Sequence, residues 1–308
     1  MRPAAALIAI CCSFLVTACG SGRGPGNAEE STSTTAAPPG SLEALWRASK
    51  ERVAVVPGTA DYVAGRNRVS FLIVDKQSRL VERPIARLWV AHGLKRKPFA
   101  TTTARLEPVG VPGGDTADAQ NIYVAHVRTP VPGTYWILAE PVGGRKIGAV
   151  GTMVVKREAA APSVGDRAIP SRNPTVASGL DPKTITTARP PDTDLLQVSI
   201  AHALARKQPF VVTFATPLYC QTRLCGPVVQ VVQFVARRFA GHGVAFIHIE
   251  IYRDNDPAKK TNAWVNEWKL PSEPFTFVVD RTGVIRTKLE GAFSAKELFA
   301  AVKAVTRS

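Results

Sequence analysis

The stretch from residue 158 to residue 194 limits this chain more than any other. It is rich in proline, with many Ser and Thr residues. Proline removes a backbone donor and locks φ, so neither a long helix nor a central strand runs through such a stretch. Domain boundaries fall in segments of this composition, and a chain of 308 residues suits about two domains. The two halves also differ in hydrophobic period. Ahead of the break, short apolar runs at residues 52–56, 69–74, 86–90, 122–127, 135–139 and 150–155 alternate with turn residues. Period-two runs with regular turn signals predict an all-β unit over residues 46–157, an antiparallel sandwich.

Beyond the break the period changes. Leu195, Leu196, Ile200, Ala203 and Leu204 give an apolar helical face, and residues 210–215 read as a buried strand. A loop holding Cys220 and Cys225 follows, then a helix over residues 228–239 with Pro227 at its start. Residues 244–251 form a strand, and 258–268 a helix with Trp264 and Trp268 on one face. Strands 275–280 and 284–289 are joined by a turn at Arg281-Thr282-Gly283. A last helix opens with Ser294 and Glu297 in capping-box spacing.

The first residues bear on the compartment. Arg2 precedes a short apolar stretch, residues 4–16, too short to span a bilayer and of the length of a signal-peptide core. Leu15-Val16-Thr17-Ala18-Cys19-Gly20 resembles the lipobox of bacterial lipoproteins. That resemblance implies removal of residues 1–18, a lipid on Cys19, and a protein tethered to the outer face of the cell membrane through a flexible segment, residues 19–45. The alternative is ordinary secretion. No apolar run reaches the length of a membrane-spanning helix, which excludes a polytopic membrane protein. The net charge of +15 is scattered rather than gathered into a patch, which fits an anionic envelope better than a nucleic-acid partner.

With Cys11 and Cys12 in the leader and Cys19 lipidated, the mature chain keeps only Cys220 and Cys225. In an oxidising compartment one pair is a disulfide candidate. A five-residue loop adds little stability by chain entropy, so chemistry is the stronger reason for the pair. A thiol attacks a disulfide only as thiolate, which a helix N-terminus and the neighbouring Arg223 both favour.

The order helix, strand, helix, strand, helix, strand, strand, helix, with a cysteine pair between a buried strand and a helix start, resembles the thioredoxin fold over residues 195–308. The resemblance implies an α/β thioredoxin-like domain, a cis-proline at Pro274 facing the cysteines, and a thiol–disulfide oxidoreductase using Cys220, Cys225 and Pro274. In the first half, Pro132-Gly133-Thr134-Tyr135-Trp136 resembles the turn and strand start of immunoglobulin-like modules, implying an all-β immunoglobulin-like sandwich. The cysteine spacing departs from thioredoxins, which have two intervening residues where this chain has four. On a regular helix the two Cα atoms would lie about 8.5 Å apart, beyond the roughly 7 Å that a disulfide bridges, so part of the segment must be loop. Cys225-Gly226-Pro227-Val228 also resembles the thioredoxin Cys-Gly-Pro-Cys, so either cysteine can be the nucleophile.

Other readings stay open. The Sco copper chaperones place cysteines in the corresponding loop but add a histidine, and residues 270–274 hold none. An inert bridge in a binding module is another reading, and a peroxidase a weaker one, with Thr216-Pro217 as a loose echo. His92, His126 and His248 read as structural residues, and Glu250 and Asp280 as hydrogen-bonded strand positions. The reading is a lipid-anchored oxidoreductase acting on the thiols or disulfides of envelope proteins, with no cofactor and no metal.

Overall fold

The structure is a computed structural model that describes residues 36–307 apart from 115, 116, 118 and 221–223. The leader, Cys19 and Arg223 lie outside the described residues. Ser41 caps a short helix α1 (Leu42–Arg47), its hydroxyl accepting from the Ala44 N–H. Eight strands follow: β1 (Glu51–Pro57), β2 (Tyr62–Val63), β3 (Gly65–Ile73), β4 (Ile85–Ala91), β5 (Ala100–Pro108), β6 (Asn121–Thr129), β7 (Gly133–Pro141) and β8 (Ile147–Lys156). They run in the order β1-β3-β6-β5-β4-β7-β8, and β8 returns to pair with β1 in parallel, Glu51 opposite Ile147. Strand β2 pairs in parallel with β8 further along, Tyr62 opposite Val155, and Tyr62 enters the barrel core.

The expected fold class, an α/β thioredoxin-like fold joined to an all-β immunoglobulin-like sandwich, is corrected on this point. The molecule is mostly β, and its first part is a closed seven-stranded barrel in place of two packed sheets. Period-two alternation records only that one face of each strand is buried. A sheet meets that condition equally by packing on a second sheet or by closing on itself. Closure follows from the β1–β8 pairing between strands nearly a hundred residues apart, which leaves no local signal. The interior is filled by side chains, among them Val69, Phe71, Leu88, Val90, Tyr123, Val127, Tyr135, Ile137 and Met153. Strand β5 was not foreseen. Its Thr101-Thr102-Thr103 suits a strand but breaks the apolar alternation.

The second part is a four-stranded sheet in the order β10-β9-β11-β12, from β9 (Phe210–Phe214), β10 (Ala245–Ile249), β11 (Phe275–Val279) and β12 (Ile285–Glu290). Strands β9 and β10 are parallel, while β11 runs antiparallel to both β9 and β12. Helix α2 (Pro182–Ile185) and helix α3 (Ile200–Ala205) precede the sheet. Helix α4 (Cys225–Arg238) connects β9 to β10, α5 (Ala263–Glu267) lies between β10 and β11, and α6 (Ala295–Thr306) closes the chain. The order helix, strand, helix, strand, helix, strand, strand, helix expected from the sequence is present over α3 to α6. The full capping box at Ser294 and Glu297 is present.

Residues 158–194 lie along this sheet. Ala161 and Ala168 enter its core, and the Ile285 N–H donates to the Asp166 carbonyl at 2.9 Å. The backbone of this segment thereby covers an edge strand that would otherwise offer unpaired N–H and C=O groups.

Charged groups join barrel and sheet. Arg68 of β3 donates to both carboxylate oxygens of Glu297 at 2.8 and 3.0 Å and to the Ala292 carbonyl at 2.8 Å. Asp61 accepts from Lys288 at 2.6 Å, and Glu290 accepts the N–H groups of Ala60 and Asp61. Gly291 has φ +71°, and a Cβ there would collide with the Gly58 carbonyl. The chain packs barrel against sheet at the end of β12, where only glycine fits.

Candidate functional site

Strand β9 is buried along its whole length, so the chain surfaces only after Phe214. Leu218 and Tyr219 are exposed and Cys220 is half-buried. Helix α4 then opens at Cys225, which has no exposure at all. Pro227 falls in its first turn, where a missing N–H is harmless. The valines at 228, 229, 231, 232 and 235 hold one face of α4 on the sheet. Cys220 thus sits ahead of the helix, and the Cys225 N–H donates to its sulfur at 3.3 Å.

The two sulfurs are unbridged in the structure. The Glu273–Pro274 peptide bond is cis, and the Pro274 carbonyl accepts from the Gly291 N–H at 2.9 Å. Immediately before that proline, Glu273 brings a carboxylate oxygen to the pair. The Cys220 sulfur, the Cys225 sulfur and this oxygen all lie within 4.8 Å of one another. The Glu273 Oε2 atom is buried and has no hydrogen-bond partner.

This arrangement is electronegative. The hydrogen bond to Cys220 pushes the Cys225 thiol far up, burial and the charges of Cys220 and Glu273 add to it, and the Thr216 N–H opposes them. Burial, then the charges of Cys220 and Glu250, push the Glu273 carboxyl up to about 8. Tyr252 is raised by burial first and then by the charges of Glu273, Cys220 and Cys225. Hydrogen bonding, burial and neighbouring charge thus all disfavour the thiolate form of Cys225.

The remaining candidates are placed elsewhere or have other work. His248 donates from Nε2 to the Ala215 carbonyl at 3.0 Å, and its Nδ1 lies 3.2 Å from the Thr186 hydroxyl. Glu250 accepts the N–H and hydroxyl of Thr187, while its Oε2 is buried without a partner. Asp280 caps the turn before β12, accepting from Thr282, Val284 and Arg286. His92 stacks on Phe99 at 4.7 Å in the barrel part, and His126 lies on β6.

Sequence reasoning missed Glu273 as a site residue. The available signal was a glutamate directly ahead of the proline expected to face the cysteines. Its chemistry is visible only once the fold brings three segments together.

No protein-family model matches the chain, and no curated protein does. Among solved structures, 35% of this chain is similar to 86% of a thiol:disulfide interchange protein of the thioredoxin family from Chlorobium tepidum, at 17% identity and a TM-score of 0.30. No helix among the described residues is long and apolar enough to cross a membrane.

Proposed function

We propose that the chain is a thiol–disulfide oxidoreductase that exchanges disulfides with proteins of the cell envelope, tethered there by a lipid on Cys19. The observation that carries the exchange reading is the asymmetric pair at the start of α4: a partly buried Cys220 that accepts an N–H, close to a fully buried Cys225. The lipid anchor and the compartment rest on the sequence around Cys19 alone.

The cycle follows from the asymmetry. The Cys220 thiolate attacks one sulfur of a partner disulfide, forming a mixed disulfide and releasing the partner's other sulfur as thiolate. Cys225 then gives its proton to the partner's released thiolate and, as thiolate, attacks the Cys220 sulfur, expelling the partner's second sulfur as thiolate. The Cys220–Cys225 disulfide closes and the partner leaves as a dithiol, having gained two electrons. The reverse sequence oxidises a partner dithiol. Exposed Leu218 and Tyr219 beside Cys220 offer apolar contact to an unfolded or extended partner segment.

The test is thiol trapping of the purified protein across defined dithiothreitol or glutathione buffers. A reversible two-electron couple assigned to Cys220 and Cys225, above about −300 mV, supports exchange, and its value gives the direction. A bridge still closed below that value, or thiols that never pair, sinks the reading. Replacing Cys19 by Ser tests the anchor separately, by moving the protein from the membrane to the soluble fraction.

A further inference from the structure

We propose that, in the reduced protein, Cys220, Cys225 and Glu273 form a binding site for a borderline divalent cation of the zinc class. This goes beyond disulfide exchange and does not depend on it, since the site needs the two sulfurs and the carboxylate but no turnover.

The geometry comes first. The three ligand atoms lie within 4.8 Å of one another. In a tetrahedral zinc site, bonds of about 2.3 Å to sulfur and about 2.0 Å to oxygen place ligand atoms roughly 3.5 to 3.8 Å apart. Each side chain closes the remaining gap by about an ångström or less. Cys225 is fixed by the first turn of α4 and Glu273 by the loop entering β11, so two of the three ligands are carried by ordered backbone.

A second, independent observation is the Glu273 carboxylate. Its Oε2 atom is buried and has no hydrogen-bond partner. A buried carboxylate oxygen without a partner carries a desolvation penalty that a bound cation removes. Glu250 nearby repeats the pattern, with its Oε1 taken by Thr187 and its Oε2 buried and unsatisfied. Two carboxyl groups and two thiols therefore gather cation ligands where few hydrogen-bond donors compete for them.

The donor set selects the ion. Two thiolates are too soft for calcium or magnesium, which take oxygen ligands. A carboxylate oxygen is too hard to favour Cu(I), which prefers an all-sulfur or imidazole set. Zinc accepts sulfur and oxygen together in four-coordinate geometry. Cys220 is only partly buried, and the fourth ligand of a tetrahedral site is supplied by water or by a partner. Binding displaces a proton from each of the three ligands that holds one. Formation of the Cys220–Cys225 disulfide removes both sulfur donors, so ion and disulfide exclude each other.

The test uses the full-length chain in detergent, reduced and stripped of metal, titrated with Zn2+ against a chromophoric chelator. Co2+ serves as a second probe that reports sulfur ligation by its thiolate-to-cobalt charge-transfer bands. The expected result is one tight zinc per chain that is lost in Cys220→Ser, a variant that leaves Cys225 and Glu273 in place. Glu273→Gln is expected to weaken zinc at least tenfold while the protein melts as the parent does. Zinc binding unchanged in Cys220→Ser, cobalt spectra without thiolate bands, or an unchanged affinity in Glu273→Gln would each overturn the proposal. The redox couple is measured on the same samples without metal, so failure of the zinc site and failure of exchange are read separately.

Discussion

The backbone N–H of Cys225 points at the sulfur of Cys220 across 3.3 Å, so the first residue of α4 stabilises charge on the residue that precedes the helix. The two cysteines are consequently not interchangeable. Cys225→Ser is expected to keep the attack and lose the resolving step, accumulating a mixed disulfide visible on a non-reducing gel. Cys220→Ser is expected to lose turnover by about 100-fold or more and to trap nothing. Mixed disulfides on Cys225 in the Cys220→Ser protein would reverse the two roles.

Arg68 and Glu297 tie the barrel to the last helix with side chains only 8% and 18% exposed. Removing one member of so shielded a pair leaves the other charged and unpaired, at a cost of about 3 to 5 kcal/mol. Arg68→Met also strips the Ala292 carbonyl of a donor. Urea unfolding is expected to show this loss, and Arg68→Met combined with Glu297→Gln to recover part of it. A single-variant loss below about 1 kcal/mol would mean that the pair behaves as a solvated surface bridge.

Much of the second part was legible because its signals are local. The buried run at Phe210–Phe214, the capping box at Ser294 and the turn at 281–283 each announce themselves within a few residues. The barrel was not. Its closure depends on Glu51 meeting Ile147, and alternating residues look the same in a sandwich and in a barrel. The site was half legible for the same reason. Cysteine spacing and a helix start mark Cys220 and Cys225, whereas Glu273 joins them through the path of the sheet. Glu290 falls just past the strand read over residues 284–289, yet it accepts the N–H groups of Ala60 and Asp61 from the other part of the chain.

Gly291 stands at the closest approach of the two parts, with φ +71° and the Gly58 carbonyl where a side chain would begin. Gly291→Ala meets both a left-handed backbone conformation and a backbone collision that no rotamer relieves. A destabilisation of about 2 kcal/mol or more is expected. Limited proteolysis is expected to cut the junction near residues 57–61 before either part unfolds. A variant as stable as the parent would show that the barrel does not sit this tightly on β12.

Acid stability depends on the same junction. Burial alone would raise the Asp61 carboxyl, but Lys288 at 2.6 Å and the N–H groups of Ala160 and Ala161 outweigh it and hold the group below its ordinary value of 3.8. At Asp280, burial is likewise outweighed, by the Thr282 hydroxyl, the Val284 N–H and Arg286, and the carboxyl falls to about 2. Both groups are depressed on folding, so in acid the unfolded chain binds more protons than the folded one and stability rises with pH. The contribution is complete above the unfolded value near 4 and drains away as pH falls through the folded values. Asp61→Asn is expected to flatten this acid limb in part, Asp280 retaining the rest. It is also expected to lower stability at neutral pH, because Lys288, only 12% exposed, loses its partner. Urea midpoints between about pH 2 and about pH 6 check both effects. An acid limb equally steep in Asp61→Asn would mean that Asp61 is solvated in the folded protein and that the junction does not hold its charge.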